Sequence, residues 1–301
     1  MTCPACGGET TRWLAAPGSE PDDATRYEIA RCISCGSGAT VGGDPSPDAY
    51  ASGIYGAGAR DPRLSRMVDA LERIFLRLPL RALRRSGLRP PARVLDAGAG
   101  RGRLVAALAA RGYAAEAIDR TPRGPGVRRV GILEHSARDQ DAVVMWHVLE
   151  HLREPATAIR HAASWLKPQG VLLVAVPNLG SLQARIAGAS WFHLDVPRHR
   201  THFTPAGVRA CMRGAGVDPG RTWHLVPEHN FHGMWFALLT RAGMTPGFPF
   251  HALKRNAPLR PRDLALVVVA GPLLLPVAIV LELAACAARR GGTIVVAGRA
   301  R

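Results

Sequence analysis

Residues Arg93–Val105 read RVLDAGAGRGRLV. Val94 and Leu95 make a short buried strand ending at Asp96, and Gly98, Gly100 and Gly102 follow at alternate positions before a helix predicted over Arg103–Arg111. Glycines so placed let backbone approach a ligand closely, and the helix start turns its N–H groups toward it. A dinucleotide fingerprint would need a glycine three positions beyond Gly100, where Arg103 stands. The acid inside the turn suits a ligand with an ammonium group better than one with a pyrophosphate.

Outward from this turn, further strands are predicted at Ala115–Ile118, Val127–Leu133, Ala142–Trp146, Val171–Val176, Trp223–Val226 and Thr293–Ala297. Helices are predicted over Thr157–Leu166 and from Thr204-Pro205, an N-cap and first helical residue, to Gly214 or Gly216. Repeated βα units predict a doubly wound, mostly parallel α/β sheet of seven strands with ligands at the strands' carboxyl ends. Asp119 falls at the end of the second strand, 23 residues beyond Asp96, where a carboxylate can accept from two ribose hydroxyls.

Three later stretches are Asp141–Leu152 (DAVVMWHVLEHL), Trp165–Asn178 (WLKPQGVLLVAVPN) and Trp191–Thr204 (WFHLDVPRHRTHFT). With the glycine turn and Asp119 they resemble the class I S-adenosylmethionine (SAM)-dependent methyltransferase superfamily, which includes the ubiquinone-biosynthesis O-methyltransferases and many glycan and natural-product methyltransferases. The resemblance covers about Arg93 to Val226 and the final strand. It implies a Rossmann-like fold with SAM as cofactor, its methionine end at Asp96, Gly98, Gly100 and Gly102 and its ribose at Asp119. Many relatives carry an acid near the adenine; Ile132 and Leu133 stand there in this chain, with Glu134 next, so Leu133 and its backbone become the adenine candidates. His147, just past the fourth strand, falls where such enzymes line the methyl-transfer pocket.

Transfer from a sulfonium needs the nucleophile oriented and, for a hydroxyl, its proton removed. Imidazole does this near neutral pH, and the candidates are His147, His199 and His151. The plainer reading of His151 and Glu150 is that they tie their helix to the neighbouring loop. Trp191, His193, Asp195, Arg198, His199 and His202 crowd a segment read as a gate over the pocket, recognising substrate or only excluding water. No catalytic metal cluster is predicted.

At the other end of the chain, Cys3-x-x-Cys6 and Cys32-x-x-Cys35 are 25 residues apart, each pair followed by a glycine, Gly7 or Gly36. That spacing predicts four thiolates around one structural Zn²⁺, against two disulfides or free thiols. Short strands near Arg12–Ala15 and Arg26–Arg31 complete a zinc ribbon, an N-terminal module also found in some members of the superfamily. The opening MTCPACGG lacks the basic and apolar regions of a secretory leader, which predicts a reducing, cytoplasmic compartment. The expected organisation is a zinc ribbon over 1–45, a linker and basic amphipathic helix over 46–92 (apolar residues Leu64 to Leu78), and a methyltransferase domain over 93–301.

Inside that domain, 66 residues (Pro227–Gly292) separate the last two strands. Leu264–Leu281 is uncharged for eighteen residues, long enough for a membrane span. Gly271-Pro272 and Pro276 are expected to break it, and the last strand must return to the sheet. The expectation is a broken helix dipping into one leaflet between Lys254, Arg255, Arg260 and Arg262 on one side and Arg289 and Arg290 on the other. The alternative is a buried helical pair on the sheet or on a second subunit.

Composition narrows the partners. The chain is 47% apolar and 21% charged, which excludes a disordered one. Its net charge is +16, but residues 1–50 carry three arginines and seven acids, a net −4, so +20 falls on the remainder. An acidic ribbon and Trp146-His147-Val148-Leu149 in place of an Asn-Pro-Pro-aromatic motif argue against nucleic acid. The reading is methyl transfer to a small or lipid- or glycan-linked hydroxylated acceptor, in the cytoplasm, with peripheral contact at the inner face of the membrane. The rival readings are an RNA methyltransferase with a ribbon adaptor and a catalytically silent SAM-binding or membrane scaffold. The oligomeric state is left open.

Overall fold

The computed structural model describes residues 1–20, 23–43, 75–254 and 258–301. The basic helix expected from Leu64 lies mostly outside them. The ribbon is an antiparallel meander of β1 (Thr10–Pro17), β2 (Arg26–Cys32) and β3 (Gly38–Val41). Both cysteine pairs sit on tight turns whose glycines adopt positive φ, 75° at Gly7 and 72° at Gly36, which only glycine does without strain.

After α1 (Arg77–Arg85) the main sheet begins. Its strands are β4 (Arg93–Ala97), β5 (Ala114–Asp119), β6 (Arg128–Arg129), β7 (Gln140–Trp146), β8 (Leu166–Pro177), β10 (Val217–Trp223) and β11 (Thr293–Ala300), and β9 (Thr201–His202) belongs to the ribbon sheet. Their order is β10-β11-β8-β7-β4-β5-β6, parallel from β6 to β8, with β11 antiparallel between β8 and β10. This is the seven-stranded, mostly parallel α/β sheet expected. A parallel sheet is buried on both faces, so its strands read as apolar runs rather than alternating ones. In β7, Val143 and Met145 face α3 (Pro155–Ser164) and α5 (Pro205–Gly214), the short α4 (Leu182–Ala187) lying between these two in the chain, while Ala142 and Val144 face α1 and α2 (Arg103–Ala109). Thr204 caps α5, its hydroxyl accepting the Gly207 N–H at 3.1 Å, with Pro205 in the first turn.

Three expectations are corrected. The third strand shrinks from Val127–Leu133 to Arg128–Arg129 at the sheet edge, where it pairs only with β5. The sixth lies at Val217–Trp223 rather than Trp223–Val226, because its register is set by pairing with β11, Val217 opposite Ala300 and Trp223 opposite Val295. The insertion is not broken at its glycine and prolines. It comprises α6 (Pro227–Arg241), α7 (Phe248–Lys254) and one helix, α8, running from Pro261 to Ala287. Residues Leu266–Ala270 of α8 are wound as a π-turn. Val268, whose carbonyl an inserted Pro272 would otherwise crowd, lies in that turn, and the helix passes the proline without ending.

The ribbon is not an appendage on a tether. Strand β9 pairs with β3, so the gate segment supplies the fourth strand of the ribbon sheet. Thr40 Oγ1 donates to the His199 carbonyl at 2.7 Å, Thr204 Oγ1 donates to the Cys35 carbonyl at 2.6 Å, and Cys211 Sγ on α5 donates to the Ala5 carbonyl at 3.0 Å. The buried Arg198 pairs with Asp195 beside it and with Glu20 of the ribbon.

Candidate active site

The turn after β4 is built as its glycines require. Gly98, Gly100 and Gly102 have φ of 88°, 52° and 69°, and a Cβ on Gly98 would come within 2.2 Å of Val148. Asp119, at the end of β5, holds the turn in place: its carboxylate accepts the Gly100 N–H at 2.8 Å and the Thr121 N–H at 2.7 Å. Asp96 is buried, and burial, with Asp119 beside it, pushes its carboxyl up to about 7. A cationic ligand group is what such a carboxylate lacks, and the ammonium of SAM would supply one.

Asp96 and Gly98 open into a cavity of about 520 Å³, within the size range of small-molecule sites. Arg101 of the glycine turn, Arg103 at the start of α2 and Trp146 at the end of β7 also line it. Its far wall comes from elements that sequence reasoning did not connect with the site: Leu76 and Pro79 near α1, Glu228 and His229 of α6, and Phe250 of α7. The available signal was the pair His229 and His232, three apart on one helix face directly after a strand end.

His147 stands at the end of β7 with φ of 54°, a conformation that costs energy in any residue but glycine and recurs at functional positions. Its Nδ1 lies 3.0 Å from Glu150 Oε1, and its buried Nε2 has no hydrogen-bond partner among the described residues. Glu150 is fully buried, yet the hydrogen bond from His147 holds its carboxyl below the usual range. An ionised carboxylate on Nδ1 assigns the proton there and leaves Nε2 as the basic nitrogen. The His147 and His229 rings are 4.1 Å apart, and His193 and His232 complete a cluster of four imidazoles. Burial holds His193 and His229 well below the usual histidine value, so both are neutral.

The other sequence candidates lie elsewhere. His199 is buried between the ribbon and the domain, Nδ1 donating to the His193 carbonyl at 2.9 Å and Nε2 3.7 Å from Asp195. His151 packs edge-on against it at 4.6 Å, and its burial brings it down to about 4. Neither lines the cavity; His147 is not among its lining residues either, but its chain neighbour Trp146 and its ring partner His229 are. The gate segment divides: Phe192 and His193 reach α6 and α7, whereas Asp195 to Thr204 run beneath the ribbon. Ile132 is buried, while Leu133 is exposed and outside the cavity lining. No catalytic metal cluster was expected, yet ligand atoms of Glu150, His151 and His199 lie within 4.8 Å of one another, a donor set of the kind divalent ions take.

Cys3, Cys6, Cys32 and Cys35 do converge, all four sulfurs within 4.8 Å, with Cys3–Cys35 at 3.7 Å and Cys6–Cys32 at 3.5 Å. A tetrahedron with zinc–sulfur bonds of about 2.3 Å has sulfurs about 3.8 Å apart, so the cluster has the size of a Zn²⁺ site.

The sequence profile of a family described as a methyltransferase domain matches residues 64–219, more than half of the chain. The chain belongs to the class I SAM-dependent methyltransferase superfamily. Within the superfamily it is 32% identical over 150 residues to the ubiquinone biosynthesis O-methyltransferase of Xanthomonas axonopodis pv. citri, a match covering 42% of this chain and 63% of that protein. The counterpart in Xanthomonas campestris pv. campestris is 33% identical over 152 residues, 43% of this chain and 64% of that one. The chain thus spans less than two thirds of the length of these relatives. Among solved structures, a SAM-dependent methyltransferase from Archaeoglobus fulgidus superposes with a TM-score of 0.47 at 16% identity, over 74% of this chain and 94% of its own. In methyltransferase terms, the glycine turn, Asp119 and the cavity occupy the carboxyl ends of β4, β5 and β7, where ligands of open α/β sheets bind.

Proposed function

We propose that this methyltransferase domain moves a methyl group from SAM to a hydroxyl oxygen of a small acceptor, an apolar, lipid-linked one fitting the cavity best. The observation that carries the reading is the His147–Glu150 pair at the end of β7, beside a cavity that begins at Asp96 and the glycine turn. SAM supplies an electrophilic methyl whose bond to sulfur breaks with its electron pair passing to the sulfur. Asp96 holds the ammonium, the glycine turn lets the backbone close on the methionine end, and Asp119 takes the ribose hydroxyls. The apolar wall of Leu76, Pro79, Leu104, Trp146 and Phe250 excludes water and seats the acceptor. His147 Nε2 takes the hydroxyl proton as the oxygen attacks, and Glu150 stabilises the imidazolium that results. The relatives are O-methyltransferases by name, which supports oxygen as the acceptor atom.

Zinc enters as a structural ion held by Cys3, Cys6, Cys32 and Cys35. Four thiolates leave no open position on it, so it takes no part in the chemistry.

The test is incubation with methyl-labelled SAM and separated fractions of lipid, polar small molecules and RNA. Label is expected in a hydroxylated, organic-soluble product that resists mild alkali, as an ether does. Label in RNA would favour the nucleic-acid reading, and tight SAM binding with no labelled product would favour a scaffold.

A further inference from the structure

Helix α8 is long and apolar enough to cross a membrane, but only 11% of its most apolar eighteen-residue window is buried in the protein. It is therefore not a core helix. Large apolar side chains stand outward along its length, Val269 and Leu273 about 70% and 71% exposed, with Val268 and Val280 beside them. Its two acids point the other way. Asp263 is buried and accepts the Thr245 N–H at 3.0 Å. Glu282 is fully buried and accepts from the Gln183 and Asn230 side-chain amides at 2.9 and 2.6 Å and from the Gly292 N–H at 2.8 Å. Among the described residues the exposed charges at its ends are all cationic, Arg260 just before it, Arg262 in its first turn, and Arg289 and Arg290 after it.

Both halves of the helix are fastened to the domain. Trp235 Nε1 on α6 donates to the Gly271 carbonyl at 2.8 Å, Glu282 is held as described, and β11 rejoins the sheet at Thr293. A helix tied to α6 along one side cannot thread a bilayer alone. It can lie on one. A second copy of the chain suits this face poorly, because it would set the arginines of one helix against those of the other, with no outward acid on either helix to meet them. An anionic lipid surface matches both the apolar stripe and the cations at its ends. Helix α7 connects α8 to the site: Phe248 belongs, with Leu239 and Met244, to the apolar cluster against which Leu266 and Leu274 of α8 pack, and Phe250, two residues on, lines the cavity.

We infer that α8 lies flat on an anionic phospholipid surface, and, resting on the methyltransferase reading above, that the cavity takes an acceptor with an apolar tail from that surface. The experiment is flotation of the full chain with vesicles of equal phosphatidylglycerol and phosphatidylcholine, or of phosphatidylcholine alone, with SAM affinity read on the same samples. The wild type should float with the anionic vesicles and less with the neutral ones. The double variant Val269→Asp/Leu273→Asp changes two exposed positions; it should keep its melting temperature and SAM affinity and lose at least about tenfold in vesicle binding. Arg289→Ala and Arg290→Ala should each cost about fivefold at low salt. Wild type remaining soluble at low salt with SAM binding intact overturns the surface and leaves the methyltransferase reading standing. Flotation without SAM binding does the reverse. A dimer that the double variant dissociates, with no flotation, would mean that a second copy covers the face. Resistance to an alkaline carbonate wash would mean that the helix spans.

Discussion

The role proposed for His147 rests on three local facts: a strained backbone at the end of a strand, a buried carboxylate on Nδ1, and an Nε2 with no partner among the described residues. His147→Ala should therefore lower turnover by about 10²-fold or more, the scale of a general base, with SAM affinity nearly unchanged. Glu150→Gln keeps the shape but removes the charge that stabilises the imidazolium, so it should lower kcat more than it raises KM. Asp119 differs, since it holds the glycine turn through two backbone N–H groups besides being the proposed partner of the ribose. Charge-assisted hydrogen bonds are worth roughly 1.5–3 kcal/mol, and calorimetry on Asp119→Ala should show SAM affinity down at least about tenfold. Unchanged affinity in a folded variant would remove Asp119 from the site. Acid should expose the buried imidazoles. Burial holds His232 at about 4 and His202 at about 3, against 6.5 in the unfolded chain, with His193 and His229 also well below. The unfolded chain then binds protons first. Each histidine's contribution is whole above pH 6.5 and shrinks as pH falls toward its folded value, by at most about 1.4 kcal/mol per pH unit. Melting temperature followed by scanning calorimetry should be nearly flat from pH 8 to 7 and fall steeply between about 6.5 and 5.

At the scale of elements, the seam between β3 and β9 joins the ribbon to the gate segment. Thr40 stands at its centre, bonding the His199 carbonyl at 2.7 Å and His202 Nε2 at 3.0 Å from one hydroxyl. Thr40→Val keeps the volume and strands two buried polar groups, each costing about 1–3 kcal/mol. Differential scanning fluorimetry should show a clear loss of melting temperature; a variant as stable as wild type would mean that water replaces the hydroxyl. Helix α8 shows how an element escapes its own sequence signals. Two prolines and a glycine mark it for breaking, and helix propensity counts each against it. Its contacts with α6 and the inward hydrogen bonds of Glu282 and Asp263 hold it as one helix instead.

Across the whole molecule, the cavity lies between elements far apart in the chain: the glycine turn, the β7 end, α1 and the insertion. The ribbon touches this assembly through the gate segment, whose first residues Phe192 and His193 reach α6 and α7. Zinc removal should therefore be felt beyond the ribbon. Stripping the reduced protein with a strong chelator, or substituting Cys32→Ser, should lower the melting temperature and slow turnover, while SAM affinity changes by less than about threefold. Metal analysis of fresh protein should find one equivalent of zinc; finding none would end the four-thiolate assignment.

What the sequence determined by itself was local. A strand followed by alternating glycines, an acid at the next strand end, paired cysteines at knuckle spacing and a proline behind a threonine cap each describe a few neighbouring residues, whose physics is complete within a turn or a strand. The parallel sheet followed from their repetition. Tertiary structure decided whatever depended on partners distant in sequence. The register of β10 came from β11, the burial of His199 beneath the ribbon from the Thr40 contact at the β3–β9 seam, and the cavity's far wall from α6 and α7. It also decided which way the two acids of α8 turn, and so left the helix with an apolar outer face and only cations at its ends. Burial, hydrogen-bond partnership and charge exposure belong to pairs of groups, and a chain read one residue at a time does not say which pairs will meet.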